Sequence, residues 1–207
     1  MEGQKSGCIS PASYDFVVPL HMRILMVCLG NICRSPLADG LLRNKVSEKQ
    51  LPWIVDSAGT AAYHIGNPPD HRMIQTAKSN GIDISELRAR QFTSQDFLAF
   101  DRIYVMDQSN YNNVLRLANT NADRQKVYLL LDHLYPNKQL EVPDPYYGNQ
   151  SDFDAVFTLV NEATEAIITE LILNLRTKGK DKPVFKIHIY SVDTVTGLPG
   201  IELLKKD

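Results

Sequence analysis

Apolar and polar positions along this chain follow two periods, and the switches between them mark out its elements. Arg23 to Val27, reading Arg-Ile-Leu-Met-Val, is a short apolar run of the kind that fills the inside of a parallel sheet. Ser35-Pro36 then opens an amphipathic helix through about Lys45, with Ser35 as a natural N-cap and Pro36 suited to the first turn. Trp53 to Ser57 predicts a second strand and Pro69 to Asn80 a second helix, which Gly81 can end in a left-handed cap. Thr93 to Phe100 predicts a short helix, Arg102 to Met106 a third strand, Ser109 to Ala118 a further helix, and Lys126 to Leu130 a fourth strand. From Phe153, apolar residues recur at Val156, Phe157, Val160, Ile167, Leu171 and Leu175, which predicts a long helix capped by Ser151 and Asp154. Alternating strands and helices require right-handed crossovers and a parallel sheet covered on both faces. The expected fold is therefore α/β, a single doubly wound domain with a central four-stranded parallel sheet flanked by helices.

The two ends break this pattern. Residues 1–21 contain Gly3, Gly7, Pro11 and Pro19 without sustained periodicity, so they read as an N-terminal extension, natural or added, that precedes a domain over 22–178. Gly179-Lys180-Asp181-Lys182-Pro183 reads as a linker, and Val184 to Tyr190 alternates like a strand before Gly197-Leu198-Pro199-Gly200. Residues 179–207 thus form a C-terminal extension with no role that the pattern reveals.

At 207 residues the chain has room for one substantial core, and 43% hydrophobic with 22% charged residues is the composition of a folded protein. Its formal net charge is -2 and no basic run forms a footprint for a phosphate backbone, so nucleic acid is not the expected partner. No apolar stretch reaches the roughly 18 to 20 residues of a membrane-spanning helix, and no membrane insertion is expected. Phe16 to Leu20 is interrupted by Pro19 and lacks a basic flank, which makes a poor signal peptide, so the expected location is the cytoplasm. Three cysteines, Cys8, Cys28 and Cys33, cannot all pair within one chain, which points to catalytic or redox use.

The segment Cys28-Leu29-Gly30-Asn31-Ile32-Cys33-Arg34-Ser35-Pro36 joins the end of a strand to the start of a helix, where backbone N–H groups and the helix dipole converge on an anion. Amides of a loop this size, over Leu29 to Arg34, can form a nest for tetrahedral oxygens, and Gly30 and Asn31 tolerate the positive φ of such a curl. Arg34 adds a planar fork that grips phosphate in bidentate fashion. Such an electropositive cup favours the thiolate form of a cysteine, which makes Cys28 the natural nucleophile. Ser35 has two open roles, as the helix cap or as a hydroxyl partner of Cys28. A structural zinc on Cys28 and Cys33 would need further Cys or His ligands, and none stands close in sequence.

This loop resembles the active-site loop of low-molecular-weight protein tyrosine phosphatases, whose pattern is Cys, five residues, Arg-Ser-Pro. Asp144-Pro145-Tyr146-Tyr147-Gly148 is similar to the family's general-acid loop, and Ala62-Tyr63-His64-Ile65-Gly66-Asn67-Pro68-Pro69-Asp70 to the stretch that walls its cleft. The likeness runs from about Met22 to Leu175. It implies a flavodoxin-like phosphatase fold and hydrolysis of phosphotyrosine or aryl phosphates, with no metal and no cofactor. Cys28 would form a phosphocysteine, Arg34 and the loop amides would hold the oxygens, and Asp144 would serve as acid and then base. Asn31 and Asp107 would brace the loop, and Arg72 is read as structural. Relatives often pair a histidine at the position of Asn80 with an acid at that of Asp56, and that pair is missing here. Tyr63, Tyr146 and Tyr147 would line the cleft and select an aryl phosphate, and Ile32 favours tyrosine over arginine substrates.

The implied partners are a phosphotyrosine-containing protein and inorganic phosphate as product, with the chain monomeric or weakly self-associated through the cleft tyrosines. Cys33 suggests a reversible disulfide with Cys28 that would halt oxidation at the sulfenic acid. An arsenate reductase on the same fold would need two further cysteines downstream, and there are none after Cys33. A binding-only module is the rival from another class, but Cys28, Arg34 and Asp144 are all present.

Overall fold

The computed structural model describes residues 21–178, 187–192 and 199–203. Four strands, β1 (Met22–Cys28), β2 (Trp53–Gly59), β3 (Arg102–Val105) and β4 (Val127–Leu129), form one parallel sheet in the order β2-β1-β3-β4. This is the expected parallel α/β sheet. Ile24, Leu25, Met26 and Val27 have no solvent exposure, which explains why β1 reads as an unbroken apolar run: as a central strand it is buried on both faces. The chain goes from β1 to β2 on one side and then to β3 on the other. The C-terminal end of β1 is therefore a topological switch point, where the loops on either side part and leave a crevice.

The helices are α1 (Arg34–Glu48), α2 (His71–Ser79), α3 (Asp96–Ala99), α4 (Gln108–Arg116), α5 (Asn121–Arg124) and α6 (Gln150–Lys178), with a short 3-10 turn at Leu130–His133. Gly81 closes α2 with φ +82, as its type requires. The expected cap of α6 lies elsewhere. Asn149 Oδ1 accepts from Ser151 N at 2.8 Å while Asp152 Oδ2 accepts from Asn149 N at 2.7 Å, a reciprocal pair that puts Ser151 inside the helix. Asp154 instead accepts from Thr76 Oγ1 at 3.2 Å and so ties α6 to α2. The side chain of Leu175 and the expected linker at 179–183 lie outside the described residues. Residues 21–173 belong to one compact unit. In the second unit, β5 (Ile187–Val192) pairs antiparallel with β6 (Pro199–Leu203), so the expected strand is present from Ile187 and runs on to Val192, while Val184 to Lys186 lie outside the described residues. Among the described residues no helix is long and apolar enough to cross a membrane.

The beginning of α1 departs from the amphipathic pattern: Arg34 through Asp39 are all buried. Asp39 has no solvent exposure, and burial pushes its carboxyl up from 3.8 to about 6, with Arg43 opposing the rise through hydrogen bonds at 3.1 Å. Between these values the folded protein holds a proton that the unfolded chain has released, so stability falls as pH rises from about 4 to about 6. Asp39→Asn removes that liability. Relative to wild type, the variant is expected to gain about 2 to 3 kcal/mol between pH 3.5 and pH 7, roughly two pKa units at 1.36 kcal/mol each. Urea unfolding at the two pH values measures this gain, and a difference that does not change with pH would refute it.

Candidate active site

The loop between β1 and α1 curls with three of its carbonyls held from outside. Thr60 N donates to Cys28 O at 2.9 Å, Ala61 N to Leu29 O at 2.9 Å, and Asp70 N to Ile32 O at 2.8 Å. Inside the curl, Asn31 N donates to Cys28 Sγ at 3.2 Å. The curl depends on Gly59 at the end of β2. A Cβ there would stand 2.8 Å from Leu29 O and 3.1 Å from Asn31 N, closer than the loop backbone allows. The left-handed residue is Asn31, with φ 55, while Gly30 needs no positive φ. What Gly30 provides is room, since a Cβ on it would meet the His64 ring at 3.0 Å.

Asn31 holds this conformation through its side chain. Its Oδ1 accepts from Arg90 N at 3.0 Å and its Nδ2 donates to Ser35 Oγ at 2.9 Å. The Arg90 guanidinium is in turn fixed by Asp56 and Asp96 at 2.9 and 3.0 Å. Asp56 thus finds its partner in Arg90, and Asn80, which does not pair with it, donates to Thr76 O instead.

Ser35 is not the helix cap. Cys33 occupies that position without any side-chain capping bond, and Ser35 sits in the first turn with its Oγ 3.0 Å from Cys28 Sγ. A serine before proline resembles a cap in sequence, but here its hydroxyl serves the sulfur. The uncapped first turn leaves backbone donors for an anion.

Arg34, 3% exposed, reaches under the loop. Its Nη1 donates to Asp107 Oδ2 at 2.7 Å and to Val142 O at 3.2 Å, and its Nη2 to Asp144 Oδ2 at 2.7 Å. Burial opposes the charge on Arg34, but the facing sulfur and the two carboxylates outweigh it, so the guanidinium holds its proton more firmly than in water. Asp107 also caps α4, its Oδ1 accepting from Asn110 N at 2.7 Å. It can do both because it lies just past β3, beside β1. Cys33 is buried within the loop, and burial, with Asp70, Cys28 and Asp144 adding to it, pushes its thiol far up. Cys28 and Cys33 are both free thiols, and Cys8 lies outside the described residues.

One cleft contains Cys28, Arg34 and Asp144 and is walled by Tyr63, Tyr146 and Tyr147. Leu29, Gly30, Ile32 and Cys33 line its floor and rim. Tyr147, 96% exposed, packs edge to face on Tyr146 at 5.0 Å. Of the site residues singled out from sequence, Asn31, Ser35 and Asp107 do not line the cleft: the first two hydrogen-bond to Cys28 Sγ and Asp107 holds Arg34. The structure adds Gly59, Arg90 and Val142, of which Gly59 had a readable signal, a glycine closing a strand, and it places His64 of the expected wall stretch in the cleft. Among the described residues no cluster of three or more His, Cys, Asp or Glu side chains is arranged to hold a metal ion.

Comparison with known proteins agrees with this geometry. Residues 23–177 match the family model described as low molecular weight phosphotyrosine protein phosphatase. The human low molecular weight phosphotyrosine protein phosphatase is 46% identical over 136 residues, covering 65% of this chain and 85% of its own length. Among solved structures, a protein tyrosine phosphatase from Entamoeba histolytica superposes with a TM-score of 0.69 at 38% identity, covering 74% of this chain and 98% of its own. A Drosophila arginine phosphatase superposes with a TM-score of 0.68 at 31% identity, covering 72% and 98%.

Proposed function

Since this chain belongs to the low molecular weight phosphotyrosine protein phosphatase family, we propose that its phosphatase activity runs through Cys28 as nucleophile, Arg34 and the loop amides as phosphate holders, and Asp144 as general acid. The observation that carries this reading is the convergence of Cys28, Arg34 and Asp144 on a single cleft walled by three tyrosines. Cys28 Sγ attacks phosphorus, the bond to the leaving oxygen breaks, and Asp144 gives that oxygen its proton. Water then attacks the phosphocysteine, Asp144 takes a proton back, and inorganic phosphate leaves with the thiolate restored. Arg34 and the amides supply the positive charge that a divalent ion brings to other phosphoryl-transfer sites.

Ser35 and Asn31 N aim donors at the sulfur, which stabilises the thiolate both before attack and as leaving group. The Ser35 hydroxyl has one proton to give, and Ala58 O at 3.3 Å competes for it less closely than Sγ at 3.0 Å. A Cys28 only 3% exposed, in a cleft lined by three tyrosines, favours an aryl phosphate over the shorter phosphoserine.

The direct test is hydrolysis in EDTA of a phosphotyrosine peptide, the matching phosphoserine peptide and phosphoarginine. We expect the phosphotyrosine peptide to be cleaved without metal and the phosphoserine peptide to be at least roughly 100-fold slower in kcat/KM. Faster cleavage of phosphoarginine than of phosphotyrosine would overturn the substrate assignment while leaving the nucleophile in place.

A redox role for Cys33 belongs to the same reading. Peroxide converts the Cys28 thiol to a sulfenic acid with release of water, and Cys33 attacks that sulfur to form the disulfide with loss of a second water. Oxidation of Cys28 also removes one of the charges that hold the Cys33 thiol up. Cys33→Ser is expected to make peroxide inactivation largely irreversible by added thiols, and full recovery of the variant with dithiothreitol would sink the idea.

A further inference from the structure

Arg72, in the first turn of α2, makes a connection that the reaction scheme above leaves unused. Asp70, the N-cap of that helix, accepts from Arg72 Nε at 3.0 Å and from its Nη2 at 2.8 Å, and the Asp70 amide holds Ile32 O of the phosphate loop. On its far side the same guanidinium donates to Tyr146 O at 3.0 Å and to Gly148 O at 3.4 Å. It also lies over the rings of Tyr146 and Phe153, at 5.7 and 4.5 Å from their centroids. Tyr146 N in turn donates to Asp144 Oδ1 at 3.2 Å. One path therefore runs from the phosphate loop through Asp70 and Arg72 to the residue whose amide orients Asp144.

We propose that Arg72 is a positioning residue that keeps Asp144 aimed at the leaving oxygen once substrate is bound. This rests on the reading of Asp144 as the general acid. The segment around Asp144 has no helix or strand of its own, so its place depends on side-chain ties. One of these ties is Arg34 Nη2, the group a bound phosphate would take. With that contact surrendered, the Tyr146 amide remains on Asp144, and Arg72 stands behind it. A lysine could not hold two carbonyls and two carboxylate oxygens at once, because it lacks the planar fork.

The test is kcat/KM for p-nitrophenyl phosphate and phenyl phosphate, an easy and a difficult leaving group, in wild type, Arg72→Met, Arg72→Lys and Asp144→Asn. Misaimed proton transfer matters only for the difficult leaving group, so Arg72→Met is expected to lose roughly 10- to 100-fold more on phenyl phosphate than on p-nitrophenyl phosphate. Arg72→Lys, which keeps the charge over the two rings, is expected to show the same selective loss to a smaller degree. Equal losses on both esters in the Arg72 variants, with Asp144→Asn still selective, would overturn the role of Arg72. Equal losses in Asp144→Asn as well would overturn the acid assignment beneath it.

Discussion

Cys28→Ser is expected to abolish turnover of phosphotyrosine and aryl phosphates, a loss of roughly 10⁴-fold or more, the scale on which removal of a nucleophile falls. The donors around Sγ, Ser35 Oγ at 3.0 Å and Asn31 N at 3.2 Å, can sustain a thiolate. A serine hydroxyl in the same cup gives up its proton far less readily, and the two groups that hydrogen-bond to the sulfur, Ser35 Oγ and Asn31 N, are not bases that could take it. Phosphate binding should survive, because Arg34 and the loop amides are untouched and the outward-held carbonyls keep the curl. Rapid acid quench with radiolabelled substrate should trap phosphate on the wild-type protein and none on the variant, while calorimetry finds phosphate bound by both. Turnover by Cys28→Ser at even a tenth of the wild-type rate would remove Cys28 from the chemistry.

The sequence made the floor of this site readable because the floor is local. An apolar strand, a cysteine, a short loop and an arginine at a helix start are contiguous, and contiguity lets periodicity and residue type locate the anion cup. The walls are less readable, because they arrive from elsewhere in the chain. Asp107 and Asp144 reach Arg34 across more than seventy and one hundred residues, and only resemblance to a family could nominate them. Gly59 is readable as a glycine closing a strand, but the loop it must clear is not, and Arg90 matters through its amide's bond to Asn31 Oδ1, a contact that no local pattern encodes. Ser35 was legible in position and ambiguous in role, since a serine before proline satisfies the requirements of a cap as well as those of a thiolate partner. Short polar α5 and the 3-10 turn after β4 left no periodic trace at all.

Asp144→Asn is expected to produce two effects of opposite sign. In the structure the carboxylate occupies Arg34 Nη2 at 2.7 Å, so it sits where a bound phosphate oxygen would be held. In the proposed mechanism substrate displaces it, and displacement would turn the carboxyl from the arginine toward the leaving oxygen. Loss of the acid should therefore lower kcat/KM for phenyl phosphate by roughly 10² to 10³, within the range for a general acid, and much less for p-nitrophenyl phosphate, whose leaving group departs without a proton. Loss of the negative charge should at the same time let inorganic phosphate bind more tightly. That gain should be only a few-fold, because the Asp144 side chain is 41% exposed and solvent screens its pairing with Arg34. Product inhibition by phosphate, measured beside the two esters, reads both effects from one variant. Weaker phosphate binding in Asp144→Asn would mean that the carboxylate supports the anion site instead of competing for it, and the displacement step would have to be abandoned.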